Sequence, residues 1–222
     1  MTSVNILELF DLRETIASEY LKQFVYPWEA LEGIADFIRK VGPTLPQDEF
    51  QKIGEDIWLA KDAKVERTAS LNGPLIVDHG AEIRHCAFIR GSVIIGKGTV
   101  VGNSTELKNV ILFNGVQVPH YNYVGDSILG YKSHMGAGAV TSNVKSDKSK
   151  VVIKSSDKEY TTGRKKVGAM LGDYVEVGCN SVLNPGTIIG RNSNVYPLSC
   201  VRGVIPENSI YKNKSDIVVK MK

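Results

Sequence analysis

The residues whose types and spacing could do chemistry lie between positions 84 and 143. His120 is third in the hexapeptide Val118-Pro119-His120-Tyr121-Asn122-Tyr123. Ala137 stands between Gly136 and Gly138, whose missing side chains leave the backbone open to close approach. A histidine beside exposed backbone N–H groups fits a general base next to an oxyanion hole. Taken alone, the histidine fits a structural role as readily. Arg90 and Lys108 are separated by three hexapeptide lengths. Two cations stacked at that separation without a nearby acid repel each other, which points to an anionic ligand; the alternative is a solvated basic rim. A further basic run, Lys145, Lys148, Lys150, Lys154, Lys158, Arg164, Lys165 and Lys166, falls within residues 144–170. It is either a solvated loop or an arm over an anion. His79 and His85 are read as packed or exposed, and no metal site is expected. Cys86, Cys179 and Cys200 are odd in number and contain no C-x-x-C pair, so neither a zinc knuckle nor a disulfide framework is supported.

A repeat of six must position these residues. Apolar anchors fall at 53, 59, 65, 71, 77, 83, 89, 95, 101 and 107, then at Leu112, Val118, Val124, Leu129, Met135 and Thr141, and again at Leu171, Val177, Leu183, Ile189, Val195 and Val201. A second inward position recurs four residues after each anchor, as at Ile57, Ala63, Ala69, Leu75, Ala81 and Ala87. Neither a period of 2 nor one of 3.6 explains this pattern. It predicts a solenoid in which each hexad is one short strand plus a corner and three hexads close a coil. Twenty-two anchors imply roughly seven coils. Arg90 and Lys108 should then share a corner of successive coils, and Ala137 should sit one coil beyond His120. Residues 144–170 break the register, with Val151-Val152-Ile153 and Tyr160-Thr161-Thr162 reading as a hairpin around Ser155-Ser156-Asp157.

The composition agrees with this reading. Val and Ile total 44 against 15 Leu, and 21 of the 222 residues are Gly, which marks a β-rich, turn-rich chain. Hydrophobic residues make up 42% and charged residues 23%, which excludes disorder throughout. The net charge of +3 is too balanced for a dedicated nucleic-acid binder. No apolar run approaches the length of a membrane span and no secretory leader opens the chain, so no span is expected and the protein reads as cytoplasmic. Residues 1–50 differ from the rest. Leu9, Leu12, Ile16, Tyr20 and Phe24, then Trp28, Leu31, Ile34, Ala35 and Ile38, predict two helices packed against the next domain. The expected organisation is a helical segment at 1–50, a β-helix at 51–206 with its excursion at 144–170, and a tail at 207–222.

Residues 84–143 resemble the acetyltransferase domain of the bifunctional N-acetylglucosamine-1-phosphate uridyltransferase/glucosamine-1-phosphate acetyltransferase family and its archaeal sugar-nucleotidyltransferase relatives. The resemblance rests on Arg90, Glu106-Leu107-Lys108, His120-Tyr121-Asn122-Tyr123-Val124-Gly125-Asp126 and Gly136-Ala137-Gly138-Ala139-Val140-Thr141-Ser142-Asn143. It implies a left-handed parallel β-helix and acetyl-CoA-dependent N-acetylation of an amino-sugar 1-phosphate in UDP-N-acetylglucosamine biosynthesis. It also implies that His120 is the base and that the Ala137 N–H stabilises the oxyanion. Arg90, Lys108 and Lys148 would hold the phosphate, and Tyr123 and Asn143 would contact the sugar. Acetyl-CoA would lie near Ala137, Cys179 and Pro197 between subunits of a homotrimer. His134 stands where the family has an Asn that contacts the sugar. No G-x-G-x-R loop opens the chain, so uridyl transfer is not expected. Two other readings stay open: a non-catalytic β-helix that binds a sugar nucleotide or scaffolds a complex, and an acyltransferase with another amine acceptor.

Overall fold

A computed structural model describes residues 4–156 and 158–220. The chain is mainly β, wound into a three-faced parallel β-helix. Among the described residues, face A stacks eight short strands from Ile57–Ala60 to Val204–Ile205, and face B eight from Lys64–Val65 to Ser209–Asn213. Face C stacks seven, from Ser70–Leu71 to Cys200–Val201. Successive coils pair Ile57 with Leu75, Leu75 with Val93, and Leu107 with Val124. Most coils are therefore three hexads, one position shorter where a step has five.

The corners explain the glycine and asparagine usage. Left-handed residues recur at most corners. Ser92, Asn109 and Asp126 stack where face C turns into face A, at φ 56°, 56° and 48°. Ser104, Tyr121, Gly138, Asn180 and Leu198 stack where face B turns into face C. That conformation admits Gly, Asn and Asp at low cost; Tyr121 is held there by its N–H on the Asn103 carbonyl and Leu198 by its N–H on the Cys179 carbonyl.

Apart from Ile53, every anchor points inward. Ile53 is 49% exposed because Phe50–Gly54 does not join the coil stack. It pairs antiparallel with Ile57–Ala60 and covers the first coil's open edge. At the far end, the segment expected as a tail carries Ser209–Asn213, which runs parallel to Asn194–Val195 and antiparallel to Asp216–Val219. Val195 pairs with Tyr211, two positions short of three hexads. The six-residue register could not reveal this shortened step, so the stack exceeds the seven coils expected.

Face A is apolar on both sides. Trp58, Ile76, Ile94, Ile111, Ile128, Met170 and Ile188 form an outward column, yet all are buried. The N-terminal segment packs against this face: Phe10 meets Phe113 at 5.1 Å between ring centroids, and Gly42 lies on the Trp58 ring, where any Cβ would overlap it. Each such side chain contributes about 1.5–3 kcal/mol of burial.

The two expected helices are corrected. The first is three separate turns, Ile6–Leu9, Leu12–Glu14 and Ser18–Leu21; the second divides into Pro27–Leu31 and Ile34–Val41. The backbone of the first leaves the helical path to bond with solenoid corners. Asp11 N–H donates to Asp173, Asp173 N–H to the Leu9 carbonyl, and Asn114 N–H to the Glu14 carbonyl. The excursion forms the hairpin Val152–Lys154 with Glu159–Thr161, Ile153 opposite Tyr160. Val151 and Ile153 are buried against Gly186, and Tyr160 packs on Tyr26 and Trp28, which ties the arm to the N-terminal segment.

Candidate active site

The corner between faces B and C stacks His120, Ala137, Cys179 and Pro197 on successive coils. Gln117 pairs with His134, which sets His120 opposite Ala137 about 4.8 Å away. Gly138 N–H donates to the His120 carbonyl at 3.0 Å, Asn180 N–H to the Ala137 carbonyl at 2.8 Å, and Leu198 N–H to the Cys179 carbonyl at 2.9 Å. Among the described residues the Ala137 N–H has no acceptor, and the exposed His120 ring has no hydrogen-bond partner. An imidazole and a backbone donor, both without partners, thus stand on neighbouring coils. The cysteine and proline of the next two coils continue the same edge.

Asn122 locks this corner from beneath. It is 2% exposed. Its Oδ1 accepts the His120 N–H at 3.1 Å, while Nδ2 donates to the carbonyls of Gly136 and Ala139, each at 2.9 Å. One side chain therefore sets the backbone of His120 and both flanks of the Ala137 turn.

Face C holds the polar residues. Lys108 Nζ lies 2.9 Å from Asp126 Oδ1, and Arg90 Nη1 2.8 Å from Glu106 Oε1. The expectation of two stacked cations without an acid is thereby corrected: each has a carboxylate, because the winding brings Glu106 beside Arg90 and Asp126 beside Lys108. Glu106 holds the Arg90 guanidinium above its ordinary range. Asp126, 2% exposed, also accepts from Asn109 at 2.9 Å and from Asn143 Nδ2 at 2.5 Å. Asn143 lies 3.2 Å from the Tyr123 hydroxyl. Burial pushes the Tyr123 phenol up, and the Asp126 and Glu106 carboxylates add to it. Gly125 makes room for this arrangement, since a Cβ there would run into the Tyr123 hydroxyl and come within 3.0 Å of the Asn143 amide.

Two further expected residues are on face B and in the excursion. His134 is on face B, with Nδ1 2.8 Å from Glu176 Oε2 on the next coil. Lys148 is exposed in the turn that its N–H closes onto the Lys145 carbonyl. The basic residues that share a cleft with Lys108 are Arg164, Lys165 and Lys166. The cleft, of about 540 Å³, is also lined by Asn109 and Asp126. Asn122 and Asp126 also belong to the site, and both sit inside the motif His120–Asp126. Their signal was position: Asp126 falls at a left-handed corner and Asn122 immediately after one.

The GMPPB C-terminal domain family matches residues 71–214, about two thirds of the chain. The chain belongs to that family. "Bifunctional protein GlmU" of Methanococcus maripaludis strain C5 is 27% identical over 235 residues, covering 98% of this chain and 53% of the relative. The protein of the same name from Methanocaldococcus jannaschii is 30% identical over 215 residues, covering 88% and 48%. The chain thus spans about half the length of the curated relatives it matches. Among solved structures, the polySia specific acetyltransferase NeuO superposes with a TM-score of 0.51 at 16% identity, covering 73% of this chain and 80% of that one, which supports the fold.

The matched span contains the His120 corner, face C and the whole excursion. The N-terminal segment that covers face A lies outside it. No described helix is long and apolar enough to cross a membrane.

Proposed function

We propose that this chain transfers the acetyl group of acetyl-CoA to the amine of an amino-sugar 1-phosphate, at the corner where His120 faces Ala137. The observation that carries this reading is the pairing of a free imidazole with an unsatisfied backbone N–H on the next coil. The neutral amine attacks the thioester carbonyl carbon, and His120 removes the amine proton. Negative charge develops on the carbonyl oxygen, where the Ala137 N–H receives it. Collapse expels the CoA sulfur, which takes the proton from His120. Arg90, Lys108 and Lys166 hold the sugar phosphate, and Tyr123 and Asn143 contact the sugar. The pantetheine runs along Cys179 and Pro197. The GlmU relatives support the reaction class, and the stacked corner supports the assignment of residues.

The outward face of that corner is open, so a second subunit would close the acetyl-CoA channel, and we propose a homotrimer on the same basis. Light scattering at three times 24.3 kDa supports this, and a monomer removes the shared channel. The activity is tested by thiol release from acetyl-CoA with glucosamine 1-phosphate. Turnover abolished by His120→Ala supports the proposal; folded wild-type protein inert on every amino-sugar phosphate refutes it.

A further inference from the structure

The cleft lined by Lys108 lies at the opposite edge of face C from His120. Its floor is the corner column Ser92, Asn109 and Asp126, and its walls are Leu31-Glu32 and Gly163–Lys166. It is built by the N-terminal segment and the excursion closing over one corner of the β-helix. Its volume, about 540 Å³, falls within the range of small-molecule sites.

The charge in this cleft exceeds what the corner itself uses. Asp126 neutralises Lys108, whereas Lys165 and Lys166 have no carboxylate partner among the described residues. Arg164 pairs through Nη1 with the exposed Glu32 at 3.0 Å, and its buried Nε has no partner among the described residues. Gly163, at φ 71°, has open space where a side chain would stand. The cleft therefore offers guanidinium and ammonium donors on the side of Lys108 that faces away from the proposed base.

A phosphomonoester held by Lys108 and Lys166, with its sugar amine toward His120, leaves Arg164 and Lys165 without a ligand anion. A phosphate esterified onward supplies one. We infer that the acceptor's preferred form is a nucleoside-diphosphate amino sugar whose distal phosphate is bound in this cleft by Arg164 and Lys165. This rests on the reading above that Lys108 holds the sugar's own phosphate. The bonds made and broken in acetyl transfer are unchanged.

The test compares UDP-glucosamine with glucosamine 1-phosphate as acceptor, in wild type and Lys165→Glu. Binding of UDP, GDP and dTDP is measured by calorimetry at fixed ionic strength. The expected result is kcat/KM higher for UDP-glucosamine by at least about tenfold, one charge-assisted contact's worth. Lys165→Glu should raise KM for UDP-glucosamine by about 10–100-fold and for glucosamine 1-phosphate by under about threefold. At least one nucleoside diphosphate should bind wild type and lose affinity in the variant. Equal or better use of glucosamine 1-phosphate, an equal effect of the variant on both acceptors, or no nucleoside-diphosphate binding overturns the inference and leaves the acetyltransferase reading standing. Failure of both acceptors with acetyl-CoA strikes that reading instead, while calorimetry still reports on the cleft.

Discussion

Replacing Asn122 by Ala tests whether the His120 corner is a built device or a chance adjacency. The substitution removes three hydrogen bonds, one accepted from His120 N–H and two donated to the Gly136 and Ala139 carbonyls. Gly136 keeps a partner, the Ala139 N–H at 3.1 Å, but the Ala139 carbonyl is left without one in a buried turn. At about 1 kcal/mol per bond and 1–3 kcal/mol for a buried orphan, the loss is about 3–5 kcal/mol. It should be read as a lowered denaturant midpoint at unchanged slope. The kinetic effect is separate. A loosened Ala137 turn misaims its N–H, which should cost about 10²-fold in kcat, comparable to removing an oxyanion donor, with KM for acceptor little changed. Asn122→Asp sharpens the test: it keeps the acceptor for His120 but turns a carboxylate toward two carbonyl oxygens, so it should be at least as damaging as Ala. A folded Asn122→Ala protein with wild-type kcat, or a neutral Asn122→Asp, would refute the reasoning.

Gly125→Ala should displace the Tyr123 hydroxyl and the Asn143 amide, raising acceptor KM by about tenfold with a smaller effect on kcat; unchanged KM would show that these groups do not touch acceptor. Ile94→Ala, on the outward side of face A, should lower stability by about 2–5 kcal/mol in a chemical melt, as a core position does, because the N-terminal segment buries it. Tyr20 donates its hydroxyl to the Ala30 carbonyl, and burial pushes its phenol up to about 12. The folded form thus keeps a proton that the unfolded chain loses near pH 10. The stability it contributes is whole below pH 10 and falls by about 2–3 kcal/mol as pH rises to 12. Tyr20→Phe should flatten that part of the stability profile, and an unaltered alkaline limb would count against the assignment.

The hexads made most of the β-helix legible because a coil closes every three hexads, or one position sooner, which turns sequence separation into spatial adjacency. His120 opposite Ala137 follows from that arithmetic alone. Face A was also legible, though it went unread. The residue just before the anchor is apolar in every third hexad, at Trp58, Ile76, Ile94, Ile111, Ile128, Met170 and Ile188, whereas the matching face B positions include Lys64, Glu82, Gln117, His134 and Glu176. A solvated face would carry polar residues there, so the pattern marks the covered side. The first helix misled because apolar spacing cannot show that backbone groups will bond to a corner far along the chain, as between Asp11 and Asp173.

The sequence by itself determined the repeat, its inward columns, the corner that sets His120 opposite Ala137, and the place where the register breaks. These are local properties, repeated coil after coil. Tertiary structure decided which cations are neutralised, since Glu106 and Asp126 reach Arg90 and Lys108 only through the register of neighbouring coils. It also brought Arg164, Lys165 and Lys166 rather than Lys148 into the cleft that Lys108 lines, because an excursion without periodicity takes its path from what it packs against. Here that is Gly186 beneath Val151 and Ile153, and Tyr26 and Trp28 beside Tyr160.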